Sequence, residues 1–271
     1  MKTAAIILAA GKPDSGKIPR PLIYIGDKTM LLHEIDTFQS IPVNEIVVVI
    51  GYRDSIVKRH IEHRNCGVTI ALNRHYSETE MLDSVLLNER AERVLVLPAD
   101  TPLVSERTCS LLLNADSEIA AIPRYNGTTG HPIMLTEKAL TMLADYDGTN
   151  GIRGFTAMHH DEVVQIDVDD PAVCMRASGP DYLEKLSAYE RMQRTGGKLH
   201  AYIDLHLCMQ NTIMNGELSR VLNLVESTQS LQLASECVGI SYSKCWKSIK
   251  NLESALGVSI IESTAGGPSG G

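Results

Sequence analysis

The 271-residue sequence predicts an α/β fold, a mostly parallel sheet with helices on both faces, followed by a small helical module. Two observations lead there. Runs rich in Val and Ile alternate with amphipathic stretches as far as about residue 190, the pattern of βαβ units whose strands are buried on both faces. Near 191–198, Arg-Met-Gln-Arg-Thr-Gly-Gly-Lys, the alternation stops and the spacing turns helical. This division gives a first domain over 1–190, a linker over 191–200 and a second domain over 201–271.

Strands are expected at Ala4–Ala9, Glu45–Ile50, Val68–Leu72, Arg93–Leu97 and Ile119–Ile122, each a short run of β-branched and apolar residues. Leu31–Phe38, Ser55–His63, Met81–Arg90 and Glu106–Asn114 carry apolar residues at helical spacing and read as the intervening helices. The first strand empties at Ala10-Gly11 into a loop that ends Arg20-Pro21-Leu22. Gly11 lacks a Cβ, so backbone can approach a ligand there, and a cation nine residues on can neutralise phosphate. An ordinary βα loop is the alternative reading for these residues taken alone. Asp100, in Leu95-Val-Leu-Pro-Ala-Asp-Thr-Pro-Leu-Val104, falls just past a buried strand. A carboxylate there suits Mg²⁺, which prefers oxygen donors and takes one or two carboxylates with substrate phosphates; a turn or helix cap is the competing role. In such sheets ligands lie at the carboxyl ends of the strands, which is where Gly11 and Asp100 both fall.

Composition narrows the class. Hydrophobic content of 44% supports a sizeable core, and a net charge of −8 argues against indiscriminate coating of nucleic acid, though not against a local DNA-reading element. The six cysteines form no CxxC pair and read as reduced thiols, which points to the cytoplasm. The apolar run Ala4–Ala10 is too short to span a bilayer, so no membrane association is expected.

From Leu218 the chain reads as helix-turn-helix. Leu218, Val221, Leu222 and Val225 share one face, Leu231 to Gly239 forms a second helix ended by glycine, and Ser241 caps a third running to about Leu256. Cys245, Ile249, Leu252 and Leu256 line that helix's apolar side. Ser243, Lys244, Lys247 and Ser248 supply polar groups near its start, suited to a DNA major groove or simply to solvent.

Leu8-Ala-Ala-Gly11, Arg20-Pro21-Leu22, Gly26 and Met30-Leu31-Leu32 together resemble the pattern LAAGxSxRMGxxKPLLPLxGxPLL of the MobA-like nucleotidyltransferases. Among these the molybdenum-cofactor cytidylyl- and guanylyltransferases are the most similar. The resemblance, over roughly 1–190, implies a Rossmann-like fold of the nucleotide-diphospho-sugar transferase type. It implies CTP or GTP bound over Leu8, Ala9, Ala10 and Gly11, with Lys17 and catalytic Arg20 on the triphosphate. Asp100 would be catalytic as the Mg²⁺ ligand, Ser84 would contact nucleotide, and His131, in Gly130-His131-Pro132, would line the acceptor side. The sequence departs from the pattern at Ser15, Lys17 and Arg20, which replace Arg, Gly and the catalytic Lys, and at Ala177, which stands where a second metal-binding Asp belongs. Asp167, Asp169 and Asp170 are close in sequence but read as strand-end and turn residues.

Residues 199–271 resemble the winged-helix domain of molybdate-responsive, ModE-like regulators through Ala234, Gly239-Ile-Ser-Tyr-Ser243, Trp246, Ile249, Leu252 and the glycine-rich stretch 266–271. That resemblance implies double-stranded DNA as a partner and a homodimer, with a wing shortened after a first strand at Val258–Ile261. The expected activity is joining of CMP or GMP to molybdopterin phosphate with release of pyrophosphate. A catalytically degenerate regulator that senses nucleotide or pterin is the alternative, and a transferase for another small phosphorylated acceptor is a third.

Overall fold

The computed structural model describes residues 2–13, 18–73, 91–179, 181–196, 206–209 and 211–262. The sheet is built on β1 (Thr3–Ala9), with β4 (Glu45–Ile50) and then β5 (Thr69–Leu72) to one side. On the other side follow β6 (Arg93–Pro98), β9 (Ile133–Thr136), β7 (Ala120–Tyr125) and β10 (Val163–Asp167). Pairing is parallel except that β9 runs antiparallel to both β6 and β7, and the short β8 (Thr128–Thr129) folds back antiparallel on β7. The predicted strands are therefore present; β9, four residues long, and β10, at the sheet edge, were not legible as strands.

The continuous apolar runs are explained by two cores. Ala5, Ile7 and Ala9 of β1 join Val48, Ile50, Leu95 and Leu97 on one face. Ala4, Ile6 and Ala10 join Val47, Val49, Val94 and Val96 on the other, because successive side chains of a strand alternate sides. The first face is covered by α1 (Met30–Gln39) and α3 (Glu106–Leu113), the second by α4 (Glu137–Leu143) and α5 (Gly151–Met158) through Leu140, Leu143 and Phe155. Thr29 caps α1 by accepting the Leu32 N–H, and Ser105 caps α3 by accepting that of Thr108. α2 (Asp54–Arg64) follows β4. The helix expected over Met81–Arg90 lies outside the described residues.

The 191–200 stretch is not all linker. α6 (Tyr182–Thr195) continues through Thr195 and ends on Gly196 at φ +54°, a left-handed cap that glycine adopts without strain. Beyond it lie the antiparallel pair β11 (Leu207–Met209) and β12 (Asn211–Met214), then α7 (Gly216–Thr228), α8 (Leu231–Val238) and α9 (Tyr242–Leu256). Ser241 accepts the Lys244 N–H at the start of α9, and Cys245, Ile249 and Leu252 are buried as the spacing requires. Leu256 is exposed. Val258–Ile261, expected as the first strand of a wing, is not a strand. Instead the Glu253 carboxylate accepts the N–H groups of Ile260 and Ile261 at 2.9 and 3.2 Å, and Lys250 with these two donors pulls it down to about 2.

These helices share the apolar core of the first sheet face and are tied to it at two polar contacts. Arg220 donates to the Gly26 carbonyl at 2.9 Å, and His63 meets Glu226 at 2.7 Å.

His60 of α2 is buried against Thr29 at 3.1 Å, and burial, then Arg64 and His63, lowers its pKa to about 4. Folded His60 therefore refuses a proton that the unfolded chain accepts below about 6.5. Its contribution is present above that pH and is lost as pH falls toward 4, a difference on the order of 3 kcal/mol. Urea unfolding of wild type should show stability falling across that window, and His60→Gln should flatten the slope.

Candidate active site

The register of β1 and β6 sets the site. Leu8 lies beside Pro98, so both strands end together, and the Ala99 N–H donates to the Leu8 carbonyl at 3.0 Å. The Leu8–Gly11 loop and Asp100 consequently open into one pocket, whose wall also includes Lys12, Arg20, Pro21 and Arg176. Arg20 begins a single helical turn, Arg20–Leu22, that is anchored by buried Pro21 and Leu22. Of the expected residues, Leu8, Ala9, Gly11, Arg20 and Asp100 are thus brought together. Ala10 is not: it is fully buried in the second core, and its carbonyl accepts the Tyr52 N–H at 2.9 Å. Strand alternation turns it away from the pocket. Lys17, Ser84 and Ser15 lie outside the described residues.

A Cβ built on Gly11 would meet no described atom within 4 Å, and its backbone is not left-handed. Neither described packing nor conformation demands glycine there, and the space it leaves open belongs to the pocket.

Asp100 is 6% exposed and is gripped by Arg176. The Arg176 Nη2 and Nε donate to Oδ2 at 2.8 and 3.1 Å, and Nε also approaches Oδ1 at 3.3 Å. Thr101 donates to Oδ1 at 3.2 Å. Behind it Glu34 of α1 is fully buried with neither carboxylate oxygen hydrogen-bonded. Burial and then the Asp100 charge push Glu34 well above the usual carboxylate range. Neutral Glu34 is a physical consequence of that position.

A second pocket shares Leu8, Pro98 and Arg176 with the first and adds His131, Asn150, Ile152 and Arg153. His131 holds its backbone N–H on the Val173 carbonyl at 2.9 Å, while its Nδ1 is buried without a partner. Burial, followed by the Arg153 and Arg176 charges, lowers its pKa to about 4, so a neutral imidazole faces this pocket at neutral pH.

Among the described residues lining the pocket, Asp100 is the one carboxylate offered to a divalent cation. Both Asp100 oxygens are taken, and the Ala177 N–H donates to the Asp100 carbonyl at 2.7 Å. The place of the expected second carboxylate is therefore beside Asp100 and carries a methyl. Asp167 pairs with Arg124, and Asp170 accepts from Ser105, Thr108, Ala172 and Tyr189, so both are structural. Among the described residues no three His, Cys, Asp or Glu side chains cluster as a metal set.

Sequence reasoning missed Lys12, Arg153, Glu34 and Arg176. Lys12 was readable, since it directly follows Gly11. Arg176 was readable only by position, next to Ala177. Arg153 and Glu34 carried no signal before the fold placed them.

The family model for the MobA-like NTP transferase domain matches residues 5–163. The chain belongs to the MobA-like NTP transferase domain family. The matched range takes in the sheet from β1 to β9 and both the Gly11 and the Asp100 loops. Among curated relatives, a mannose-1-phosphate guanyltransferase of Neurospora crassa is 30% identical over 136 residues, 46% of this chain and 35% of that protein. The bifunctional protein GlmU of Heliobacterium modesticaldum is 28% identical over 123 residues, 45% of this chain and 27% of that protein. The chain thus spans about a third of the length of these relatives. Mycobacterium tuberculosis Rv0371c superposes with a TM-score of 0.62 at 19% identity, covering 69% of this chain and 99% of that one. A CMP:2-keto-3-deoxy-manno-octonic acid synthetase complexed with CTP superposes at 0.58, with 16% identity over 71% of this chain and all of that one. These superpositions establish the nucleotide-diphospho-sugar transferase fold with its mostly parallel sheet. Another structure of Rv0371c, with a TM-score of 0.56 and 20% identity over 69% of this chain and 99% of that one, is a complex with manganese. No described helix is long and apolar enough to cross a membrane.

The wall carrying His131 depends on Gly130, where a Cβ would drive into the Val173 carbonyl. Gly130→Ala should lower stability by roughly 2–3 kcal/mol in urea unfolding, in line with overpacking of a closed site. It should also shift the His131 ring resonances.

Proposed function

We propose that this chain transfers a nucleotidyl group from CTP or GTP to the phosphate of a molybdopterin-type acceptor, releasing pyrophosphate. One observation carries the reading: the Leu8–Gly11 loop, Arg20 and Asp100 converge at the ends of β1 and β6, with Lys12 and Arg176 in the same wall. The triphosphate lies over the loop, and the acceptor enters the adjoining pocket past His131 and Arg153. An acceptor phosphate oxygen attacks the α-phosphorus, forming one P–O bond as the bond to the β-phosphate breaks. Lys12, Arg20 and Arg176 neutralise the charge that gathers on the leaving pyrophosphate, which is the main demand of such displacements. Among the described residues of the pocket, Asp100 is the side chain that would hold the Mg²⁺ expected from sequence. Asp100 also holds Arg176 in place.

The acceptor rests on the resemblance of the tail to molybdate-responsive regulators, which we propose reads double-stranded DNA through α9 as a homodimer. Ser243 and Lys247 are exposed there and Ser248 is half-buried. Lys244 pairs with Glu217 of α7 at 2.7 Å and is partly neutralised for that purpose. The proposed domains remain 1–190 and 201–271, and the proposed location is the cytoplasm.

The regulatory alternative is a pocket that binds nucleotide without turnover; Ala177 is what favours it. Pyrophosphate release from CTP or GTP with molybdopterin decides between them. Turnover should be detected and Asp100→Ala should lower it by about 100-fold, the scale of losing one preorganised charge contact. Unchanged turnover in that variant would sink the assignment, and binding without turnover would establish the sensor. For the tail, Lys247→Glu should weaken binding of duplex DNA and shallow its salt dependence, read by fluorescence anisotropy.

A further inference from the structure

We propose that the N-terminus of α5, with Asn150, Arg153 and His131, forms a second anion site that takes the phosphate of a phosphomonoester acceptor, apart from the site of the triphosphate. The inference rests on the transferase reading and names the chemical class of its acceptor and the residues that hold it.

The turn before α5 builds the site. Asn150 and Gly151 both take left-handed backbone, at φ +57° and +58°, and the chain from Asn150 to Arg153 lines the cavity that holds His131. The turn is held from behind. The Thr149 N–H donates to the Asp147 carboxylate at 2.9 Å, the Tyr146 hydroxyl donates to the Thr149 carbonyl, and a Cβ on Gly154 would run into that carbonyl. Gly151 gives its N–H to the Gly148 carbonyl at 2.9 Å, so among the described residues the first-turn donors open to a ligand are the N–H groups of Ile152 and Arg153. Thr29, Ser105 and Thr136 each use a side-chain oxygen to cap their helix, whereas the Asn150 side chain makes no capping bond. Its amide is therefore left for the cavity it lines.

An independent observation points to a ligand at the same place. The His131 imidazole lines this cavity, is only 9% exposed and leaves its Nδ1 buried with no hydrogen-bond partner. A buried polar atom left in that state costs free energy, and such atoms in folded proteins call for an explanation that a bound group supplies. Arg153 brings the charge: it is exposed, lines the cavity and, after burial itself, is the largest influence holding the His131 ring neutral. A helix N-terminus and a guanidinium both favour an anion, and a planar fork beside several N–H donors suits the three terminal oxygens of a phosphomonoester. Leu8 and Pro98 line this cavity and the triphosphate pocket alike, so a phosphate held here adjoins the triphosphate over the Leu8–Gly11 loop.

Calorimetry and NMR with inorganic phosphate test this on the full chain, first with the triphosphate pocket open and then with it filled by CTP, GTP or inorganic triphosphate. Phosphate should bind in both conditions with affinities that agree within about threefold, and should shift the His131 ring resonances. Arg153→Ala, which opens no core because Arg153 is exposed, should weaken phosphate about tenfold and change triphosphate affinity by less than about twofold. Arg153→Lys keeps the charge without the fork and should lose about threefold. Acetate should bind at least about tenfold more weakly than phosphate. Phosphate that triphosphate displaces, or that binds undiminished to Arg153→Ala, would overturn the proposal and leave the nucleotide site intact. Acetate as tight as phosphate would overturn the assignment to a phosphomonoester. Phosphate bound through Arg153 in a chain that takes up neither CTP nor GTP would uphold the site and reject the proposed nucleotide. Failure to bind phosphate would overturn the proposal whether or not nucleotide binds.

Discussion

The parallel pairing of β1 with β6 is the constraint on which the site depends. Register places Leu8 opposite Pro98, so two loops separated by some ninety residues of chain leave the sheet side by side. Everything functional follows from that coincidence of ends. The first loop brings open backbone at Gly11, the second brings Asp100, and the sheet beneath them is too tightly buried to let either move. Ala5, Ile7, Leu95 and Leu97 are essentially closed to solvent, and interiors packed to that degree do not deform continuously. Because the pairing is parallel, the carboxyl ends of both strands lie on one edge of the sheet.

Charge is then distributed around that edge in layers. Deepest is Glu34, held off the pocket with burial pushing its carboxyl well above the usual range; next is Asp100, paired with Arg176; Lys12 and Arg20 line the same wall. Each layer sets the state of the next. A charged Glu34 would sit beside Asp100 without a counter-ion of its own, and low dielectric makes two such carboxylates mutually exclusive. Burial, and then the Arg153 and Arg176 charges, likewise lower the pKa of His131.

How much of this was legible in the sequence differs by type of information. Strands β1, β4 and β6 were readable to within a residue because two-sided burial leaves uninterrupted β-branched runs. The capped helices were readable because Ser105 and Ser241 announce their own starts. β9 was not, since Ile133–Thr136 is short and its antiparallel insertion between two parallel neighbours depends on topology, not on local pattern. In the site, residues on the two strand-end loops were found because a strand signals where it ends. Arg176 was missed because nothing within its own segment, Met175-Arg-Ala-Ser, marks a site residue; the fold alone brings its guanidinium onto Asp100. Ala10 was assigned to the pocket for the opposite reason. A motif read as a unit ignores the alternation that sends every second side chain into the core.

The same contrast governs the C-terminal helices. Their periodicity predicted three amphipathic elements correctly, and amphipathic helices on a short connection are naturally pictured as a separate module. Periodicity does not say what covers the apolar face, however. Here α7 lies against α2, and Arg220 reaches the Gly26 carbonyl in the turn between β2 (Tyr24–Ile25) and β3 (Lys28–Thr29). That turn follows Arg20–Leu22 directly, and Gly26 also lies against Glu190 of α6, with φ at +65° and no room for a side chain. The hairpin that carries Arg20's segment into α1 is therefore clamped between α6 and α7. Displacement of α7 would remove the Arg220 contact and uncover the α2 surface together, since both belong to one buried face. The helical tail and the phosphate pocket consequently share a support, and the position of Arg20 is set partly by residues two hundred positions away.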